Sequence, residues 1–145
     1  MAKLSLNNDE LAEEFFQETR LLGIIAPVKG YHFCWNLNSS LRMDFEVNKE
    51  IEIQLKRRER DYFFEVFEYA EPTGSLSHFV YSNQFDGEYL LPEFKHFDFL
   101  WLMKGDLVSD ESLQQTISAI KTIPGVQLVT EMTPDKIKKR ENLVF

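Results

Sequence analysis

The chain has 145 residues, a formal net charge of −8 and an aromatic content of 14%. This length fits one domain over residues 1–145, which can bury a sizeable core without disulfides or metals. The acidic balance excludes general affinity for nucleic acid or anionic membranes, because such a body repels polyanions.

A lone cysteine and short apolar runs predict a soluble, cytoplasmic protein. Cys34 has no second cysteine to pair with, which fits a reducing compartment. The chain does not begin with a charged and then apolar leader, and runs such as 97–103 are too short to span a bilayer. We therefore expect no membrane partner.

The first third of the chain predicts two helices. The first is expected from about Asn8 to Leu22, because apolar residues there share one helical face and Asn7 and Glu10 have the spacing of a capping box. The second is expected over Tyr31–Leu41, where apolar residues recur every four positions.

The middle of the chain predicts strands. Ile51–Lys56 alternates apolar and polar residues, which is typical of a strand with one solvated face. Tyr62–Tyr69 is apolar on both faces and is expected to be a central or doubly covered strand. The charged residues 56–61 are expected to form the hairpin tip between these two strands. The turn sequence at 72–74 leads into a further strand over Leu76–Ser82.

The last third predicts a β-α-β unit from a strand at 97–104, a helix at 109–122 capped by Ser109, and a strand at 126–132. Pro134 opens a short final helix. Four large side chains of the first strand are expected on one face: Phe97, Phe99, Trp101 and Met103. The chain as a whole predicts an α+β fold, with a mostly antiparallel or mixed sheet and helices packed on one face.

Glu93, His96 and Asp98 form the densest cluster of acid and base groups. On an extended chain His96 and Asp98 face the same way, so the carboxylate could orient the imidazole for proton transfer. The alternative is that these carboxylates cap backbone N–H groups where a loop enters the sheet. We favour the second interpretation and assign no catalytic residue, so an enzyme ranks below a binding protein.

Motifs that bind metals or nucleotides do not occur in the chain. The three histidines and Cys34 have no paired ligand spacing, and there is neither a glycine-rich phosphate loop nor a serine elbow. We expect no metal and no cofactor. Two basic windows, 56–60 and 136–140, fit a hairpin tip and a solvated helix end better than a nucleic-acid site.

The segment Leu91–Phe99 resembles the signature of the IPExxxVDY family of small, uncharacterised bacterial proteins. Pro92, Glu93 and Asp98 match that signature at the right spacing, whereas Leu91, Phe97 and Phe99 replace isoleucine, valine and tyrosine. The aromatic-rich stretch 31–38 is similar to a second stretch of that family, ending in Trp-x-Leu-Asn. The resemblance implies a cytoplasmic bacterial protein and supplies no activity, substrate or cofactor. The two stretches give seven candidate binding or interface residues: Tyr31, Trp35, Asn38, Pro92, Glu93, His96 and Asp98.

Two functions remain open. Many aromatic residues, apolar strands and the lack of a catalytic constellation favour a non-catalytic interaction module that forms a homodimer or binds another protein. The C-terminal unit also resembles half of a ferredoxin-like regulatory domain. That resemblance leaves a small-molecule-binding domain as the alternative, with Trp35, Asn38, Glu93 and Asp98 around a pocket.

Overall fold

The computed structural model describes the backbone of residues 2–145 and the side chains from residue 9 onward. Its elements in chain order are α1 Ala2–Phe15, β1 Arg20–Ile25, α2 Gly30–Leu41, β2 Glu46–Val47, β3 Ile53–Arg57, β4 Arg60–Phe64, β5 Val66–Ala70, β6 Ser77–Ser82, β7 Gln84–Phe85, β8 Glu88–Tyr89, β9 Phe99–Lys104, α3 Asp110–Lys121 and β10 Leu128–Met132. Short 3-10 helices lie at Pro92–Phe94, Pro134–Lys136 and Arg140–Leu143. Over this described part of the chain, no helix has the length and apolarity needed to cross a membrane.

Six strands form one antiparallel sheet in the order β10-β1-β9-β6-β5-β2. Two separate hairpins, β3–β4 and β7–β8, lie outside it. Because β1 is antiparallel to both β9 and β10, the latter two run parallel, and α3 connects them across β1. The α+β fold and the C-terminal β-α-β unit are therefore confirmed, with β1 inserted between the two strands of that unit.

Each face of the sheet carries its own apolar cluster, because successive side chains of a strand point to opposite faces. Trp101 belongs to the cluster under α2 and α3, whereas its neighbours Leu100 and Leu102 belong to the other one. The prediction of helices on one face thus holds for α2 and α3. The C-terminal end of α1 differs, since Phe15 and Phe16 pack in the opposite cluster together with the β3–β4 hairpin.

The expected first helix over 8–22 is wrong in its second half, because α1 ends at Phe15 and β1 begins at Arg20. Residues 21–24 are buried between two neighbouring strands, and such a continuous apolar run also fits a helix by spacing alone. Position 23 of this strand suits glycine, because a Cβ there would come within 2.6 Å of the Phe97 ring. The backbone of Asn7 lies inside α1, and the side chain of the expected capping box is outside the described residues.

The expected strand over 62–69 is two strands, β4 and β5, separated at Glu65. β4 pairs with β3, whereas β5 pairs with β6 in the main sheet. β5 lies inside the main sheet and is covered on both faces, because Val66 belongs to one apolar cluster and Phe67 to the other. The hairpin tip expected at 56–61 is confirmed, and Arg58 and Glu59 form its turn with φ of 52° and 63°.

The expectation that Phe97 shares a face with Phe99, Trp101 and Met103 is wrong. β9 begins only at Phe99, so the strand alternation does not extend back to Phe97. The Phe97 ring instead turns towards Gly23 and joins the cluster on the α1 side of the sheet.

A polar network leads from Trp101 and His78, which are buried below α2, to Glu71, which is partly exposed. Trp101 Nε1 donates a hydrogen bond of 3.0 Å to His78 Nδ1, and His78 Nε2 lies 2.6 Å from Glu71 Oε2. Because Nδ1 accepts, the imidazole is neutral and donates its single N–H to Glu71. Burial lowers the pKa of His78, and this effect exceeds the opposing one of the Glu71 carboxylate.

This network predicts that stability falls in mild acid. The lowered folded-state pKa means that the unfolded chain binds more protons than the folded one below about pH 6.5. The contribution of His78 is therefore complete above that pH and is lost as the pH falls from 6.5 to the lowered folded-state pKa. Urea unfolding across this range should show a decreasing free energy of unfolding, and His78→Gln should remove that part of the slope. His96→Gln, a change at an exposed histidine, is the control. If the free energy of unfolding of His78→Gln depends on pH as steeply as that of wild type, the pH dependence does not come from His78.

Candidate functional site

Asn83, directly after β6, is completely buried and organises the segment Leu91–Asp98. Its Nδ2 donates to the carbonyl oxygens of Phe94 and Phe97 at 3.0 and 2.9 Å. Its Oδ1 accepts from Leu91 N at 2.9 Å, and its backbone N donates to the Asp98 carbonyl at 3.0 Å. The segment that resembles the family signature is thus folded around one amide. Sequence reasoning missed Asn83, since an asparagine after a strand ordinarily indicates a turn.

Pro92 and Glu93 begin the 3-10 helix within this segment. Pro92 occupies its first position, where the fixed φ of proline is favourable. Glu93 Oε1 accepts hydrogen bonds from the backbone N of Lys138 at 2.8 Å and of Lys139 at 3.4 Å. The carboxylate of Glu93 therefore fastens the C-terminal segment to the signature segment.

Asp98 closes the other end of the segment at β1. Its Oδ2 accepts a 2.8 Å hydrogen bond from the backbone N of Ala26, a fully buried residue. Its own backbone N donates to the Ile24 carbonyl at 2.8 Å. Without this carboxylate the Ala26 N–H would be buried without a partner, which proteins rarely tolerate.

The structure does not join Glu93, His96 and Asp98 into one site. Glu93 bonds towards the C-terminal segment, Asp98 bonds towards β1, and His96 is exposed with its ring 4.2 Å from that of Phe97. No hydrogen bond connects the three among the described side chains, and that set contains no group of three acidic, histidine or cysteine ligands placed to hold a metal. This geometry agrees with the interpretation that the two carboxylates cap backbone N–H groups.

Cys34 is also unsuited to chemistry. It is a buried residue of α2, and desolvation, aided by the Glu65 charge, raises its pKa to about 12. A thiol of that pKa is protonated near neutral pH and is a poor nucleophile.

Asn38 fixes the loop that follows α2. Its Oδ1 accepts from Phe45 N at 2.8 Å, and its Nδ2 donates to Phe45 O at 3.1 Å. This two-point bond holds the Phe45 ring against Trp101 in the core. Its contacts are therefore those of a structural residue.

Tyr31 and Trp35 lie one turn apart on the outer side of α2. Their side chains are 67% and 65% exposed, whereas Phe33, Cys34 and Leu37 bury the inner side of the same helix. Residues at this spacing are neighbours on a helix surface. They form a solvated aromatic face, which we call the α2 aromatic face.

A cleft of about 520 Å³ lies between the start of α2 and the β7–β8 hairpin. Tyr31 and Phe85 contribute aromatic rings to it, and Glu65 and Asp98 contribute carboxylates. Lys29 and Asp86 also line it, and Asp86 is ion-paired with Arg60 from β4. Of the seven candidate residues, Tyr31 and Asp98 are the two that line this cleft.

No protein-family model matches this chain, and a comparison with curated proteins finds no significant match.

Replacing Asn83 tests the organisation of the signature segment. Asn83→Ala leaves two carbonyl oxygens and one N–H without their partners in a buried loop. Each such group costs about 1–3 kcal/mol, so the free energy of unfolding should fall by roughly 3 kcal/mol or more. Urea unfolding measures this loss, and the exposed neighbour variant Gln84→Ala should stay within about 0.5 kcal/mol of wild type. Similar values for the two variants would contradict the role of Asn83.

Variants of Asp98 and His96 should differ in their free energy of unfolding, measured by the same urea unfolding assay. Asp98→Ala removes the partner of the buried Ala26 N–H and should cost about 1–3 kcal/mol, whereas Asp98→Asn keeps an acceptor oxygen and should cost less. His96→Ala changes an exposed ring and should have an effect within about 0.5 kcal/mol. A larger loss in His96→Ala than in Asp98→Ala would show that this assignment is wrong.

Proposed function

We propose that the protein is a non-catalytic interaction module that forms a homodimer through the α2 aromatic face, defined by Tyr31 and Trp35. The observation that carries the proposal is the exposure of both rings, at 67% and 65%, on one side of a helix whose other side is fully used in the core. Neither ring is needed to cover the sheet.

Large aromatic rings that remain in water are costly, and their burial contributes strongly to association. Trp and Tyr side chains bury about 150–250 Å² each and are enriched among the residues that dominate binding energy. Tyr31 and Trp35 together therefore supply a compact anchor for a partner surface. A second copy of the chain provides the same anchor, as a two-fold interface requires.

The contacts of the signature segment support a role in folding. Pro92 starts a 3-10 helix, and Glu93 and Asp98 each accept a backbone N–H from a distant part of the chain. We also propose that the chain is a member of the IPExxxVDY family. In that case the matched residues are the ones that make these long-range bonds. The high pKa of Cys34 and the separation of Glu93, His96 and Asp98 further favour binding over catalysis.

The cleft supports a second candidate, a domain that binds a small molecule. Its volume of about 520 Å³ falls in the range of ligand sites, roughly 300–1,000 Å³. Asp98 and Tyr31 would then face the ligand, whereas Asn38 and Glu93 are bonded elsewhere. A screen of metabolites that raises no melting temperature would count against this candidate.

Variants of the α2 aromatic face test the homodimer. Trp35→Ala and Tyr31→Ala should each weaken association by about 2 kcal/mol, which is roughly thirtyfold in Kd, while leaving the free energy of unfolding of the monomer almost unchanged. Sedimentation velocity over a range of concentrations measures the effect. Leu107→Ala is the matched control, because Leu107 is 70% exposed in the loop before α3. The proposal fails if wild type stays monomeric at every concentration, or if Trp35→Ala associates as tightly as wild type.

A further inference from the structure

The β3–β4 hairpin ends in a basic tip over residues 56–61. The tip contains two acidic residues and four basic ones, so its net charge is +2. The basic residues are Lys56, Arg57, Arg58 and Arg60. The tight turn at positions 58 and 59 places Arg58 at the exposed end of the hairpin. Arg60 is ion-paired with Asp86, whereas Arg57 and Arg58 belong to no ion pair among the described residues. Like charges on neighbouring strand positions repel each other, so these two cations do not stabilise the hairpin.

The cleft beside Tyr31 has the opposite charge. Glu65, Asp86 and Asp98 line it together with Lys29, so its net charge is −2. Arg60 and Asp86 already pair with each other within the chain. Subtracting this pair leaves +1 on the tip and −1 in the cleft, so the two surfaces remain complementary.

The cleft also has the shape and chemistry that suit a guanidinium group. Tyr31 and Phe85 are aromatic residues of its lining, and arginine stacks on such rings. Carboxylates such as Glu65 accept hydrogen bonds from the guanidinium fork.

The tip and the cleft are neighbours in one chain. The Arg60–Asp86 ion pair joins β4 to the cleft wall, and the Tyr62 and Phe64 rings of β4 both lie 6.4 Å from that of Phe85. A two-fold interface needs two complementary patches side by side, so that each patch of one copy meets the other patch of its partner. Adjacency of this kind allows both contacts to form within one closed dimer.

We infer that, in the homodimer, the hairpin tip of each copy enters the cleft of the other, where Arg57 or Arg58 meets the aromatic residues Tyr31 and Phe85. This inference rests on the homodimer proposed above and names the contact within it. Trp35, one turn beyond Tyr31 on α2, then packs against the side of the entering hairpin. The second copy is the occupant because its tip carries the charge opposite to that of the cleft, and every copy presents both surfaces side by side.

A charge exchange between two variants tests this contact. The tip variant carries Arg57→Glu and Arg58→Glu, and the cleft variant carries Glu65→Lys and Gln84→Lys. Asp98 is left unchanged because it bonds Ala26 in the fold. Each variant alone places like charges in both copies of the contact, so its Kd for self-association should rise at least tenfold. In an equimolar mixture both contacts pair opposite charges, and a heterodimer should form with a Kd within a few-fold of wild type.

Native mass spectrometry distinguishes the species, since the two variants differ in mass, and circular dichroism verifies that each variant is folded. The variant Lys136→Glu with Lys139→Glu is the matched control, because it makes the same charge change at two exposed positions of the other basic window. The inference is overturned if wild type dimerises and the tip and cleft variants dimerise equally well, in which case the homodimer itself stands. It is also overturned if the mixture shows no gain in heterodimer over either variant alone. A wild-type chain that is monomeric at all concentrations would overturn both the contact and the homodimer.

Discussion

The fold depends on one constraint, namely that a buried amide must have hydrogen-bond partners on both its donor and its acceptor side. Asn83 meets this requirement with the backbone of Leu91, Phe94 and Phe97. The chain from β8 to β9 consequently wraps around a single side chain. That path sets Glu93 against the C-terminal segment and Asp98 against the end of β1.

This arrangement divides the molecule into a part that maintains the fold and a part that the fold leaves exposed. The signature segment belongs to the first part, because its carboxylates satisfy backbone N–H groups of distant residues. The outer side of α2 belongs to the second part, because Tyr31 and Trp35 are exposed while Phe33 and Leu37 bury the inner side. The cleft adjoins that aromatic face, so shape, charge and apolar area coincide at one place on the surface.

Sequence patterns predicted correctly those elements that interactions between residues close in the chain determine. Ser109 caps α3 by accepting from Ser112 N at 3.1 Å, and the charged residues 56–61 form a hairpin turn, both as the sequence predicts. The patterns gave wrong predictions where pairing with strands distant in the chain determines the secondary structure. Residues 21–24 are a strand because β9 and β10 flank them, and 62–69 divides because its two halves pair with different strands. The role of Asn83 was beyond local reasoning for the same reason, since its partners lie 8–14 residues away.

The most direct test of the central claim is hydrogen–deuterium exchange of the wild-type protein at low and at high concentration. If α2 and the hairpin tip meet in the dimer, backbone amides of 29–35 and 57–60 gain protection as the concentration rises, because association closes these surfaces to solvent. Amides of 91–98 keep the same protection at both concentrations, because their hydrogen bonds belong to the fold of one chain. Protection that grows in 91–98 and stays constant in α2 would contradict this division of roles and place the binding surface on the signature segment.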